Sequence, residues 1–388
     1  MTHPDHFSEQ HPAVEALLAN GGDGLAQVLQ LLFNEAMKIE RSRALQANPY
    51  ERSEVRQGHA NGFKPKSVTS RVGKLELQVP QTRGFEFYPS CIEKGLRSER
   101  ALNLAIAQMY IQGVSTRKVD SIVQQLCGEG VSRERVSQLT QLLDEELERW
   151  RQRELGRALY MVLDARYEST RIDGLVRSCA LLIAYGITND GKRMVLGTSV
   201  SLSEAEAHWR MFFRSLKDRG LRGLECITSD DHSGLKAAIK TEFPGVLWQR
   251  CQVHLQRNAA AYVPRLEMRK EVAGDLRSIF NATDLEDAQY RLKTVVEKYR
   301  TKAAKLSSWM EDNIPEGMTV FNLPASHRVK MRTSNWAERT NKELKRRTRV
   351  IEIFPDEASL LRISSAILRE FSEAWEVGKT YLNLEADK

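Results

Sequence analysis

ALYMVLDARY (158–167), SCALLIAYGIT (178–188) and RMVLGTSVS (193–201) decide the fold. Each is a short apolar run bounded by polar residues, and NDGK (189–192) joins the last two. Asn-Asp-Gly between apolar runs is a strong hairpin signal, because the turn needs residues that tolerate positive φ. The first run ends, on this reading, at Asp164. The spacing then becomes helical. Trp209, Phe212, Phe213 and Leu216 fall on one face, Gly220 stops the helix, and Ser203 with Glu206 makes a capping box at its start. LECITSD (224–230) is a further strand ending in Asp230, SGLKAAIKTEF (233–243) a helix, and GVLWQRCQVH (245–254) a strand. The order β-β-β-α-β-α-β predicts an α/β fold with a mixed sheet covered by helices.

Outward from this block the chain is mostly helical. Residues 1–48 carry apolar residues at helical spacing. Residues 48–70, with Pro and Gly punctuation, read as loop and turn. Val72, Leu75, Leu77 and Val79 give weak evidence for a strand. Val119, Ile122, Val123 and Leu126 fit an amphipathic helix that CGEGVS (127–132) interrupts. Ser132 can then cap a second helix with Val136, Leu139 and Leu143 inward and Arg133 and Arg135 near its start. That pair is either a helix-turn-helix presenting its second helix to a major groove or an ordinary helical hairpin. Residues 258–330 are helical and strandless, and an amphipathic helix ends the chain.

The 388 residues suit two or three domains, and an apolar fraction of 41% is ample for a core. The N-terminus lacks the basic start and apolar run of a signal peptide. The longest apolar stretch, CALLIAYGI, has nine residues, against about 20 for a membrane span. A soluble, cytoplasmic protein is expected. Five cysteines, an odd number, do not look like a disulfide framework.

The net charge of +7 is unevenly placed: nine bases against two acids fall between Arg328 and Arg349. Such a run is either a solvated helix face or a phosphate-binding surface. Its density favours phosphate, and its lack of an apolar stripe disfavours a membrane. Arg332, Asn335, Arg339, Lys342, Lys345, Arg346, Arg347 and Arg349 are the candidate DNA contacts there.

Two acids at the ends of neighbouring strands sit where α/β sheets place ligands, and both ionise comfortably only around a cation. Mg²⁺ suits such oxygen donors. Either acid could instead be a turn residue or helix cap. A third ligand could come from Glu338 or Glu343, which point about 140° apart on one helix. Glu338 could equally be an intrahelical partner of Lys342. Cys251 and His254 suggest zinc by spacing, but a structural zinc site wants four ligands. With only Cys226 and His232 as nearby extras, the pair reads as packing or lining a cleft.

Taken together, the segment 48–83, LDARYESTR (163–171), TSDDHSGLKAAI (228–239), WQRCQVHLQRN (248–258) and RTSNWAERTNKELKRRTRVIEIFPDEASLLRI (332–363) resemble the Mutator-like DDE transposases of bacterial insertion sequences. The resemblance implies an RNase H-like core in which Asp164, Asp230 and Glu338, not Glu343, form the catalytic, metal-binding triad. Cys251 and His254 match the family's signature pair, with His232 lining the site. Two departures stand out: Asp231 occupies a position where many members have Gly, and YESTR lacks a Lys common in the first block.

The implied organisation is an N-terminal helical, dimerising and DNA-binding region (1–92), a helix-turn-helix domain (93–155), a first part of the core (156–262), a helical insertion (263–328) and closing helices carrying Glu338 (329–388). The implied function is DNA cleavage and strand transfer of the chain's own insertion element at terminal inverted repeats. It would proceed by two-metal-ion phosphoryl transfer with Mg²⁺, for which Mn²⁺ can substitute. Double-stranded DNA and a second copy in a homodimer are the expected partners, with no membrane, no small-molecule substrate, and nucleoid association through DNA. A non-enzymatic DNA-binding descendant or a metal-dependent nuclease on the same core are the alternatives.

Overall fold

The computed structural model describes residues 12–51, 54–95 and 98–384. It divides into two compact units, Met1–Leu142 and Leu143–Lys388. The expected helical start is met from Pro12 onward; residues 1–11 lie outside the described residues.

In the first unit, helices Pro12–Asn20 and Leu25–Leu45 precede an antiparallel pair, β1 (His59–Ser70) and β2 (Gly73–Arg83). Leu75, Leu77 and Val79 of β2 pack with Met37, so the alternation in β2 is a true strand signal. The loop expected at 48–70 is corrected over its second half. β1 is mostly exposed on both faces, so it carries no apolar alternation, and its Pro65 is tolerated in a two-stranded pair with an open edge. Helices Arg100–Ile111, Thr116–Cys127 and Arg133–Leu139 follow. Gly128 adopts φ 72° after the second of these, and Ser132 Oγ accepts a hydrogen bond from Arg135 N at 3.2 Å, capping the third.

The second unit opens with the short helix Asp144–Arg151 and holds the five-stranded mixed sheet: β3 (Ala158–Ile172), β4 (Leu175–Thr188), β5 (Arg193–Ser201), β6 (Cys226–Ser229) and β7 (Leu247–Arg250), in spatial order β5-β4-β3-β6-β7. β3, β4 and β5 are antiparallel neighbours, while β6 and β7 run parallel to β3. The β3–β4 hairpin turns through Asp173 (φ 50°) and Gly174 (φ 78°), two positive φ values in a row as a tight primed turn requires. β3 is longer than its apolar run. It continues past Asp164 to Ile172 because β4 pairs with it throughout, so Asp164 is a mid-strand residue.

Met161, Leu163, Leu182 and Leu196 pack on one sheet face against Trp209, Phe213 and Leu216 of helix Glu206–Asp218 and Leu235 and Ile239 of helix Ser233–Glu242. The capping box expected at Ser203 is not formed. Ala205 is the N-cap, and Ser203 Oγ lies instead beside Ala205 N and His208 Nδ1. The last strand is shorter than expected, and Cys251–His254 enter helix Gln252–Ala259.

Residues 258–330 are helical with their own core, including Leu276, Ile279, Tyr299, Leu306 and Met310. This region is fastened to the end of β7. Gln249 Nε2 donates to Gly317 O at 2.9 Å, and Arg250 Nη1 lies 2.9 Å from Glu316 Oε2. Helix Asn335–Thr348 and the long helix Glu357–Val377 complete the unit. Among the described residues no helix is long and apolar enough to cross a membrane.

Candidate active site

The parallel pairing of β3 with β6 sets the site. Val162 is in register with Thr228, so Asp164 and Asp230 follow two residues later at the same level on adjacent chain segments. Asp164 is held by local bonds: Oδ1 accepts from Ala165 N at 2.9 Å and Oδ2 from Asn341 Nδ2 at 2.5 Å. Burial, reinforced by the charge of Asp230, raises its carboxyl pKa to about 7. Neither Asp230 nor Asp231 caps the next helix, whose N-cap is His232. Asp231 is committed to Lys236 (3.2 Å) and Arg250 (3.1 Å), which leaves Asp230 as the acid facing the cleft residues.

The β6–β7 register continues this arrangement. Ser229 pairs with Arg250, and Cys251 N donates to Ser229 O at 2.9 Å, so Cys251 sits beside Asp230. His254, in the first turn of the following helix, lies between two acids: its Nδ1 is in ion-pair contact with Asp230 Oδ1, and its Nε2 is 3.4 Å from Glu338 Oε1. Burial opposes a charged imidazole, but contact with Asp230 and Cys251 outweighs it and lifts the His254 pKa to about 10. Burial pushes the Cys251 thiol up as well. Hydrogen bonds from His254 and Ser334 more than offset this, leaving it below the usual thiol value. Ser334 gives two of them, through Oγ at 3.2 Å and backbone N at 3.4 Å.

Glu338 lies in the first turn of helix Asn335–Thr348, where the helix dipole favours an acid. Arg257 Nη2 approaches its Oε2 at 3.3 Å, and its buried Oε1 has only the 3.4 Å contact with His254 Nε2. Glu343 is differently placed. It is gripped by Arg346 through two 2.7 Å contacts and by Arg347 at 3.0 Å, which hold its pKa down at about 2. The structure thus gathers Asp164, Asp230 and Glu338 with His254 and Cys251, and turns Glu343 away. Three carboxylates, one of them pushed up by burial and then by its neighbour, are the donor chemistry that a hard divalent cation satisfies.

The other sequence candidates divide. His232 stands beside Glu204, whose carboxyl is raised by burial, and not in the Cys251–His254 group. Cys226 is buried in β6, where burial pushes its thiol up to about 12. Arg339, Lys342, Lys345, Arg346 and Arg349 are exposed, as are Asn335, Arg133 and Arg135. Arg332 Nη1 is held by Asn281 Oδ1 at 2.7 Å. Arg347 is largely buried between Glu343 and Glu370, the latter at 2.5 Å, and is a structural tie. Sequence reasoning gave no role to Asn341, Arg257 or Ser334. The available signal was helical spacing: Asn341 follows Glu338 by three residues, and Arg257 follows His254 by three.

Comparison with known proteins identifies the family. Residues 2–378 match the Mutator transposase family. The chain is 52% identical over 373 residues to the transposase for insertion sequence element IS406 of Burkholderia multivorans, covering 96% of each chain. It is 40% identical to the transposase for ISRM5 of Rhizobium meliloti, covering 96% of this chain and 94% of that one. It is 35% identical to the transposase for IS256 in transposon Tn4001 of Staphylococcus aureus, covering 98% and 99%. The chain belongs to the Mutator family of transposases.

Proposed function

We propose that this protein cuts and joins DNA at the terminal inverted repeats of its own insertion element, using Asp164, Asp230 and Glu338 on an RNase H-like core. The observation that carries the reading is the convergence of the three acids: one on β3, one just past the end of its parallel neighbour β6, and the third on a helix tied to Asp164 through Asn341. The mixed sheet, three antiparallel strands followed by two parallel ones joined through helices, supports this reading.

The three carboxylates would hold Mg²⁺, or Mn²⁺ in its place, which when bound activates the attacking oxygen and neutralises charge on the phosphodiester. The protein's own part is placement. Asn341 fixes which oxygen of Asp164 faces the cleft. Arg257 and His254 hold Glu338. Exposed Arg339, Lys342, Lys345 and Arg349 supply phosphate contacts along the helix that bears Glu338. Helices Thr116–Cys127 and Arg133–Leu139 form a helix-turn-helix whose Arg133 and Arg135 approach the element end. Two copies act together, one for each end.

The test is a labelled duplex carrying the terminal repeat, incubated with purified protein and Mg²⁺ or EDTA beside a scrambled end. Metal-dependent nicking or joining at the repeat, lost in Asp164→Asn and Glu338→Gln while DNA binding persists, is expected. Wild-type cleavage by either variant would overturn the assignment.

A further inference from the structure

Cys251 and His254 have a third companion that cysteine–histidine counting misses. Asp230, Cys251 and His254 each offer one ligand atom, and these atoms lie within 4.8 Å of one another. Tetrahedral zinc holds S, N and O ligands at about 2.0–2.3 Å, so bound ligand atoms sit roughly 3.5 Å apart. The three side chains need close in by little. Their backbone supports are fixed: Asp230 and Cys251 follow a paired register position on β6 and β7, and His254 shares the first helical turn with Cys251. The sulfur is fully buried and accepts from both Ser334 N and Ser334 Oγ, the kind of outer support that holds a thiolate ligand in place. Nδ1 of His254 points into the group, in contact with Asp230 Oδ1.

We propose that Asp230, Cys251 and His254 form a second divalent-metal site, suited to a soft ion such as zinc and sharing Asp230 with the hard-ion site. A thiolate and an imidazole select against Mg²⁺, which takes oxygen ligands, and favour zinc. Three protein ligands leave a fourth position open. The consequence, which rests on the proposed transposase reading, is exclusion: an ion held here occupies Asp230 and withdraws it from the hard-ion site, so zinc is a brake on strand cleavage.

Co²⁺ is the probe, titrated into chelator-stripped full-length protein with no DNA present, so that this test and the cleavage test fail separately. One equivalent should bind, with a thiolate-to-cobalt charge-transfer band in the near ultraviolet and the strong visible bands of four-coordinate cobalt. Equimolar Zn²⁺ should abolish both. Cys251→Ser should lose the charge-transfer band, whereas Cys91→Ser, at an exposed cysteine outside the site, should keep it. Ser334→Ala should weaken binding about 10-fold. His254→Asn should lose the visible bands, a requirement that stands even where Cys251→Ser does not fold. Excess Mg²⁺ should shift the Co²⁺ midpoint upward, and an unmoved midpoint overturns the shared Asp230. Cobalt binding without the thiolate band, or with a band unchanged in folded Cys251→Ser, overturns the site.

Discussion

Asn341 bonds to two adjacent strands, β3 and β4: its Nδ2 donates to Asp164 Oδ2 at 2.5 Å while its Oδ1 accepts from the Tyr185 hydroxyl at 3.0 Å. Its backbone carbonyl also accepts from Arg166 Nη1 at 3.0 Å. Glu338 lies three residues earlier on the same helix, so this side chain helps to place the third acid relative to the first. Asn341→Ala strips the fully buried Tyr185 hydroxyl of its acceptor, a loss of about 1–3 kcal/mol. The thermal midpoint should fall by several degrees and DNA cleavage by more than DNA binding. Asn341→Asp keeps an acceptor for Tyr185 but sets an acid against Asp164, so it should lose cleavage with a smaller thermal cost at low pH. Wild-type cleavage by Asn341→Ala would sink the idea that this residue positions the site.

Asp164 predicts a pH dependence of stability. Its pKa rises from 3.8 to about 7, chiefly through burial and then through the charge of Asp230. A raised pKa means that the folded state binds the proton more tightly than the unfolded one. The stabilisation is therefore complete below about pH 4 and is lost as pH rises through 7. Asp164→Asn imitates the protonated acid. In EDTA the variant should melt with wild type near pH 4 and several degrees above it at pH 8. Adding Mg²⁺ at pH 8 should raise the wild-type midpoint and leave the variant unmoved. Parallel melting curves for the two proteins across this range would contradict the assignment.

Neighbouring bases on the Glu338 helix should behave differently. Arg347 has 12% of its side chain exposed and bridges Glu343 and Glu370, tying helix Asn335–Thr348 to helix Glu357–Val377. Arg347→Ala should cost about 1.5–3 kcal/mol in denaturant unfolding and leave the salt dependence of DNA binding unchanged. Arg339→Ala and Lys342→Ala, at exposed positions, should each lower the slope of log affinity against log salt by about 1 with the midpoint intact. An Arg347→Ala variant of wild-type stability and reduced salt slope would reverse these roles.

The sheet was legible where burial is lopsided. Leu163, Leu182 and Leu196 face a helix-covered core, and the run from Cys179 to Ile187 is almost wholly buried, so apolar runs marked those strands. β1 was not legible because its residues meet solvent on both faces and its pairing is carried by the backbone. The far half of β3 was missed for a related reason: Arg166, Glu168 and Arg171 are polar, and only the register with β4 shows the strand continuing. Asp164 and Asp230 stood out by position. The choice between Glu338 and Glu343 needed the folded arrangement, because what separates them is the grip of Arg346 and Arg347 on Glu343 and the approach of His254 and Arg257 to Glu338. Asn341 and Ser334 act across more than 80 residues of chain, to Asp164 and Cys251, and no local spacing reports such pairings.

Gly191 tests how the C-terminal segment seals the aromatic cluster behind the Glu338 helix. It adopts φ 75° in the β4–β5 turn, and its carbonyl accepts from Tyr381 N at 2.9 Å and Leu382 N at 3.0 Å. Those bonds seat Tyr381 over the Arg193 guanidinium, which also lies over Trp375, 4.7 Å from its centroid, and over Trp336. A Cβ on residue 191 would come within 1.9 Å of Leu382 O, so Gly191→Ala must displace the segment as well as strain the turn. Gly174 is the control, since its φ is 78° but nothing lies within 4 Å of a Cβ there. Gly174→Ala should cost about 1 kcal/mol, the backbone contribution alone. Gly191→Ala should cost more, expose the segment after Val377 to proteolysis and change the tryptophan fluorescence. Equal losses from the two substitutions would mean that the C-terminal segment does not hold the cluster together.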